Sequence, residues 1–214
     1  VLDMIPRSLF RLCCILGFLS FSKRVTSLTF LARSCQNTTY NPKANSAYSA
    51  SLNFLLSSLS SNASHTINGF YNSTAGHNIS DKIYGLFLCR GDLSSDICEQ
   101  CVADASNRIL KLCSDEKTAI VWYDECLLRY SNESMFSRGD ASFEINFWSR
   151  QNVTRPDLFN PLLLNLMNNV TNQAANDGSG KKFAVEEANF SSFQRLYTLA
   201  QCTPDLSSFD CMAC

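Results

Sequence analysis

Apolar residues recur every three or four positions between Ser46 and Ser61, where Ala47, Ala50, Leu52, Leu55, Leu56 and Leu59 gather on one face. That spacing predicts a helix. A second helix is expected after Ser94 and Ser95, which can cap its start; it carries Cys98, Cys101, Val102, Ala105, Ile109 and Leu112 on its apolar side. Between the two, Lys82 to Arg90 reads as a strand through Ile83, Tyr84, Leu86, Phe87 and Leu88. Ala119 to Tyr123 and Cys126 to Ser131 read as an antiparallel pair, and Glu144 to Trp148 alternates weakly as one further strand. Downstream, Pro161 to Thr171 is expected to be helical, with strands over Phe183 to Glu187 and Phe193 to Gln201. Helices and strands interleave without a βαβ period, so an α+β fold with an antiparallel sheet is predicted.

The pattern repeats. Cys89-Arg-Gly-Asp-Leu-Ser-Ser-Asp-Ile-Cys98-Glu-Gln-Cys101 and Cys202-Thr-Pro-Asp-Leu-Ser-Ser-Phe-Asp-Cys211-Met-Ala-Cys214 share C-x8-C-x2-C and seven of thirteen residues. The offset of 113 residues also superposes Tyr84 on Tyr197 and Leu86 on Leu199. A repeat of that period is a duplicated domain and not a solenoid unit. Ser137 to Asp140 makes a turn-rich break, so the domains are expected over 30–137 and 141–214. The counterparts of Cys113 and Cys126 would fall beyond residue 214, and Trp148 stands where a counterpart of Cys35 is due. The second repeat therefore reads as cut short by roughly 30 residues.

Composition narrows the compartment. Eleven cysteines in 214 residues point to an oxidising environment. Arg7 and Arg11 precede the apolar run Leu12 to Phe21, the layout of a secretory leader, so residues 1–26 are expected to be a signal peptide that takes Cys13 and Cys14 with it. The run is shorter than the ~20 apolar residues of a membrane span, and no later stretch reaches that length. Sequons at Asn37, Asn62, Asn72, Asn78, Asn132, Asn152, Asn169 and Asn189 are about twice the number expected by chance, and mark these as N-glycosylation positions. A net charge of −1 with 17% charged residues and no basic excess argues against a nucleic-acid binder, and 45% hydrophobic residues argue against a disordered chain.

C-x2-C admits a zinc site, a redox pair or structural bridges. Zinc wants a second pair or two histidines nearby; the two pairs lie more than 100 residues apart, and His65 and His77 are the only histidines. A redox pair would sit near a helix start, as Cys98 and Cys101 do. Structural disulfides are the favoured reading, with 15 pairings open for the six cysteines of the first repeat. No G-x-S-x-G elbow, phosphate loop or kinase motif is present, and neither histidine neighbours a nucleophile. Asp124-Glu125 and Glu186-Glu187 fall on alternate faces of strands and do not converge as acid and base. No enzyme activity, metal or cofactor is expected.

Cys89-x8-Cys98-x2-Cys101, with Tyr84-Gly85-Leu86 before it and Trp122-Tyr123-Asp124-Glu125-Cys126-Leu127-Leu128-Arg129-Tyr130 after it, resembles the ginkbilobin-type or stress-antifungal domain of plants. Asn68-Gly69-Phe70-Tyr71, Phe183-Ala184 and Tyr197 to Gln201 carry the same likeness. Such domains occur in cysteine-rich repeat secretory proteins and in the ectodomains of cysteine-rich receptor-like kinases. The resemblance implies tandem domains, each with two helices on a five-stranded antiparallel sheet. It also implies bridges Cys35–Cys113, Cys89–Cys98, Cys101–Cys126 and Cys202–Cys211, leaving Cys214 unpaired. Mannose-binding members use positions that correspond to Gln36, Ile120 and Ser131, of which only Gln36 keeps a matching polar group.

The function expected from these features is a secreted, apoplastic, non-catalytic interaction module in defence or stress signalling. It would be a secretory protein or a receptor ectodomain fragment, and its ligand would be a cell-wall glycan, a peptide or another ectodomain. No nucleic-acid partner and no membrane span in this chain are expected. Alternatives are a redox sensor acting through the Cys89, Cys98 and Cys101 bridges and a carbohydrate-binding antifungal protein.

Overall fold

The computed structural model describes residues 27–36, 40, 46–140 and 143–213. The expected leader with Cys13 and Cys14, the Asn37 sequon and Cys214 lie outside them. Five strands form the main sheet: β1 (Phe30–Cys35), β2 (Phe70–Ala75), β3 (Ile83–Cys89), β4 (Ala119–Tyr123) and β5 (Cys126–Ser131). Their order is β1-β4-β5-β3-β2, and every neighbouring pair is antiparallel. Helices α1 (Ser46–Asn62) and α2 (Ser95–Leu112) cover one face.

The helical stripe read from the sequence explains that face. Leu52, Leu55, Leu56 and Leu59 of α1 are all buried, as are Val102, Ala105 and Ile109 of α2. They meet Ile83, Phe87, Val121, Leu128 and Tyr130, the alternate residues of β3, β4 and β5. Fully burying each such aliphatic side chain is worth roughly 1.5–3 kcal/mol. Gly85 lets α1 approach, since a Cβ there would stand 2.8 Å from Leu55 Cδ2. Tyr48 and Tyr130 donate their hydroxyls to the carbonyls of Lys117 and Glu116, tying the turn before β4 to the core.

The opposite face of the sheet is also covered. Leu86, Leu88 and Ile120 are buried there together with Met135. The chain after β5 runs back over this face: Phe136 meets Tyr84 edge to face at 5.6 Å, and the Arg129 guanidinium lies 4.4 Å from the Phe143 ring while pairing with Asp140 at 2.5 Å.

A second unit repeats part of this architecture. Helix α3 (Pro156–Ala175) packs on a hairpin of β6 (Phe183–Asn189) and β7 (Arg195–Gln201), and the short α4 (Ser208–Ala213) follows. The strands and α4 keep the 113-residue offset from β2, β3 and the start of α2. The helix does not. Leu166, Val170 and Ala174 are buried like Leu55, Leu59 and Ala63, an offset of 111, so two more residues lie between Ala174 and Phe183 of β6 than between Ala63 and Phe70 of β2. The described residues of the second unit include no counterparts of β1, β4 or β5.

Four sequence expectations need correction. Glu144 to Trp148 is not a strand, and Phe147 and Trp148 are exposed. It occupies the place of β1 in the second repeat, and β1 is held only by β4, whose counterpart is not among the described residues. Helix α3 is longer than Pro161 to Thr171, because Pro156 sits in its first turn, where no N–H is needed. Pro161 lies inside it, where its missing N–H leaves one carbonyl of the ladder free. Strand β6 runs on to Asn189, and β7 begins at Arg195 and not at Phe193, which lies in the hairpin turn.

Candidate functional site

Cysteine placement follows from the elements. Cys89 ends β3, Cys98 and Cys101 lie one turn apart on the inward face of α2, and Cys126 begins β5. The structure joins Cys35 to Cys113, Cys89 to Cys98, Cys101 to Cys126 and Cys202 to Cys211. The first three staple β1, β3 and β5 to α2. Cys89, Cys98, Cys101, Cys113 and Cys126 are all buried in the main core.

The positions that correspond to a mannose site lie on neighbouring strands but do not form one. Ile120 is covered on the outer sheet face, between Ser34 of β1 and Arg129 of β5. Ser131 is buried, and its hydroxyl is engaged with Thr118 at 3.1 Å and with the Glu133 N–H. Gln36 follows β1, its N–H bound to the Thr118 carbonyl. An aliphatic side chain and a spoken-for hydroxyl provide no charged fork for sugar hydroxyls.

Of the sequon residues, Asn78, Asn132, Asn152, Asn169 and Asn189 are exposed, whereas Asn62 and Asn72 are half-buried. Asn62 donates to the Ser58 carbonyl at the end of α1, and Asn72 lies on the edge strand β2 opposite Leu86. His65 is exposed with Nδ1 beside the Ser61 carbonyl, and His77 is exposed. Among the described residues no three His, Cys, Asp or Glu side chains are grouped so as to hold a metal.

The most developed polar locus is the seam between the two units. It is built on Cys89-Arg90-Gly91, the start of the repeated motif. Lys181 Nζ donates to the Gly91 carbonyl at 2.8 Å, Gln201 Nε2 to the Cys89 carbonyl at 3.0 Å, and Asn68 Nδ2 to the Gly180 carbonyl at 3.2 Å. Phe183 packs on Gly91. Arg90 reaches out of the seam to Asp92 at 2.8 Å and Asp124 at 3.0 Å. The hydrogen bond from Arg90 holds the Asp92 carboxyl below its usual range, and the same bond raises Arg90. A cavity of about 100 Å³ lies on one side, lined by Asn68, Arg90, Ser94, Cys98 and Lys181; a shallower one of about 180 Å³ lies between Trp122, Glu125, Leu127 and Gln201. These groups can hydrogen-bond a polar ligand. Sequence reading did not single out Lys181, Gln201 or Arg90, although the glycine inside the repeated motif marks a close approach.

A profile of the salt stress response/antifungal family matches residues 34–133. The chain is 45% identical over 196 residues to cysteine-rich receptor-like protein kinase 25 of Arabidopsis thaliana, covering 90% of this chain and 29% of that protein. It is 40% identical over 208 residues to cysteine-rich receptor-like protein kinase 5 of the same plant, covering 96% and 31%. The chain thus spans about three tenths of the length of these relatives. The crystal structure of the tandem DUF26 ectodomain of the Arabidopsis thaliana cysteine-rich receptor-like protein PDLP8 is similar, with a TM-score of 0.70 and 25% identity over 88% of this chain and 84% of that one. That of PDLP5 gives 0.65 and 26% over 87% and 84%. No helix among the described residues is long and apolar enough to cross a membrane.

Proposed function

We propose that the chain, whose residues 34–133 match the salt stress response/antifungal family profile, is a member of that family and an extracellular, non-catalytic interaction module of plant defence or stress signalling. In this reading residues 1–26 are a leader, 30–137 and 141–214 are tandem domains, and the module works in the apoplast as a secretory protein or as part of a receptor-like kinase ectodomain. The observation that carries the proposal is the set of four disulfides in a tandem arrangement similar to receptor-like ectodomains. Bridges of this density suit an oxidising compartment. The ligand is a cell-wall glycan, a peptide or another ectodomain, met by exposed polar groups at the seam and not by a reacting centre.

The redox-sensor alternative is weaker, because Cys89 and Cys98 are only 2% and 3% exposed at the floor of the seam cavity, which restricts attack by a reducing thiol. The mannose-type antifungal alternative is weaker because Ile120 and Ser131 are covered.

Expression in plant cells with the native leader tests the proposal. Apoplastic fluid should contain the protein with its leader removed, sequons occupied and the four bridges intact on non-reducing peptide mapping. Retention in the cytosol with free thiols would overturn it.

A further inference from the structure

Polar side chains at one end of the main sheet are wired in a fixed order. The Ser131 hydroxyl accepts the Glu133 N–H and meets Thr118 Oγ1 at 3.1 Å, and Thr118 donates to Asn132 Oδ1 at 3.2 Å. A carboxamide oxygen only accepts, so the Thr118 proton is committed to Asn132 and Ser131 supplies the proton between the two hydroxyls. With Oδ1 drawn in to the buried Thr118, Nδ2 of the exposed Asn132 is turned outward. Asn132-Glu133-Ser134 is a sequon, and Nδ2 is the atom that takes the sugar. Asn62 has the opposite arrangement: it is half-buried, and its Nδ2 donates to the Ser58 carbonyl at 2.8 Å. Asn78 is exposed in the β2–β3 turn beside Ile79, an apolar side chain left 98% exposed. Asn78 and Asn132 both adjoin the sheet end where Tyr84 pairs with Ser131, whereas the seam lies at the other end, where Cys89 pairs with Cys126.

We infer that Asn132 and Asn78 carry N-glycans that cover this end of the first unit, making it a sugar-coated pole and leaving the seam end bare for the ligand. The inference rests on the extracellular reading above, because glycan transfer belongs to the secretory route. Transfer forms a bond from Nδ2 to the anomeric carbon of a lipid-pyrophosphate-linked oligosaccharide; the lipid pyrophosphate leaves, and Nδ2 gives up one proton. The product keeps Oδ1, so the Thr118 hydrogen bond to Asn132 survives the modification. At Asn62 the sugar would load the nitrogen that closes the end of α1. Glycans are attached before folding, so the fold selects which glycoforms pack and leave the cell. On Asn78 the sugar shades Ile79, whose apolar surface has no protein cover.

The test treats peptides of the secreted chain with peptide N-glycosidase A in heavy-oxygen water, which converts each occupied Asn to labelled Asp for mass spectrometry. Label is expected at Asn132 and Asn78 in most molecules and several-fold less often at Asn62. Ser80→Ala removes the Asn78 sequon, and should speed tryptic cleavage of the folded protein after the exposed Lys82 several-fold. A secreted protein with its bridges intact but Asn132 or Asn78 unlabelled, Asn62 labelled as fully as Asn132, or tryptic cleavage unchanged by Ser80→Ala would overturn the inference and leave the extracellular reading standing. A cytosolic chain without label at any sequon would overturn both.

Discussion

Phe183 occupies the space that a side chain at residue 91 would need: a Cβ on Gly91 would stand 2.4 Å from Phe183 Cγ. The first residue of β6 therefore seats directly on the backbone that follows β3. Around that contact Lys181 and Gln201 bind the carbonyls of Gly91 and Cys89. The two units are keyed together at the point where the first carries its repeated cysteine motif.

Gly91→Ala should separate the units without unfolding the first. The added methyl meets the ring root of Phe183, which has backbone behind it, and overpacking of this kind costs about 1–3 kcal/mol. Limited proteolysis between residues 132 and 155 should accelerate in the variant. The thermal transition of the first unit should move little. Pairing the change with Phe183→Ala should restore part of the loss, and equal proteolysis of Gly91→Ala and the parent would show that the seam does not hold the units.

The disulfides of the first unit should differ in worth by the loops that they close. Cys35–Cys113 spans 78 residues, Cys101–Cys126 spans 25 and Cys89–Cys98 only 9. Chain-entropy reasoning gives about 4.5, 3.5 and 2.7 kcal/mol in that order. Paired Cys→Ala variants followed by urea denaturation should show that ranking, with the Cys35/Cys113 variant least stable. A larger loss on removing Cys89 and Cys98 would mean that the bridge acts mainly by seating the seam and not by restricting the unfolded chain.

Much of the first unit was legible because its elements carry strong periodic patterns. The stripe from Leu52 to Leu59, the inward pair Cys98 and Cys101, and the alternation in β3 to β5 each fix an element by its own residues. Strands β1 and β2 carry no such pattern: Phe30–Cys35 and Phe70–Ala75 are half-buried edge strands, defined by β4 and β3 and not by their own hydrophobicity. The failure at Glu144 to Trp148 has the same origin, an edge sequence without its partner. The seam was hidden because its bonds join Gly91 to Lys181 and Cys89 to Gln201, pairs that no local spacing relates. A continuous 113-residue offset hid the shift of α3, since it is the buried face, Leu166 to Ala174, that shows the two extra residues.

Asp81 should be a main determinant of the β2–β3 connection. It is buried, its carboxylate accepts the N–H of Asn78 at 2.6 Å and of His77 at 3.4 Å, and its carbonyl lies where a Cβ on Gly76 would be, 2.2 Å away. Gly76 has φ +87°, a conformation that side chains resist. Asp81→Ala removes the acceptor and leaves two N–H groups without a partner, a cost of about 1–3 kcal/mol. Urea denaturation of the variant should show that loss, and hydrogen exchange should quicken at residues 77–81 first. Unchanged exchange there would mean that solvent replaces the carboxylate fully.

Three buried tyrosines set the alkaline limit of the fold. Burial raises the phenols of Tyr48 and Tyr130, and burial with the hydrogen bond to Asp104 pushes Tyr123 up to about 12. An unfolded tyrosine loses its proton near pH 10. A folded-state pKa above that value means that the native state holds the proton more tightly. The stabilisation is complete below pH 10 and is lost as pH rises towards the folded values. The protein should therefore unfold cooperatively at alkaline pH, and phenolate absorbance should rise with the loss of structure and not before it for these three residues. Tyr48→Phe and Tyr130→Phe should each remove one phenol from that coupled step. They should also lose about 1 kcal/mol at neutral pH, because the hydroxyls that bind the Lys117 and Glu116 carbonyls are gone. Absorbance and circular dichroism recorded on the same titration decide the matter: full ionisation of all seven tyrosines before any loss of ellipticity would contradict the burial that places them in the core.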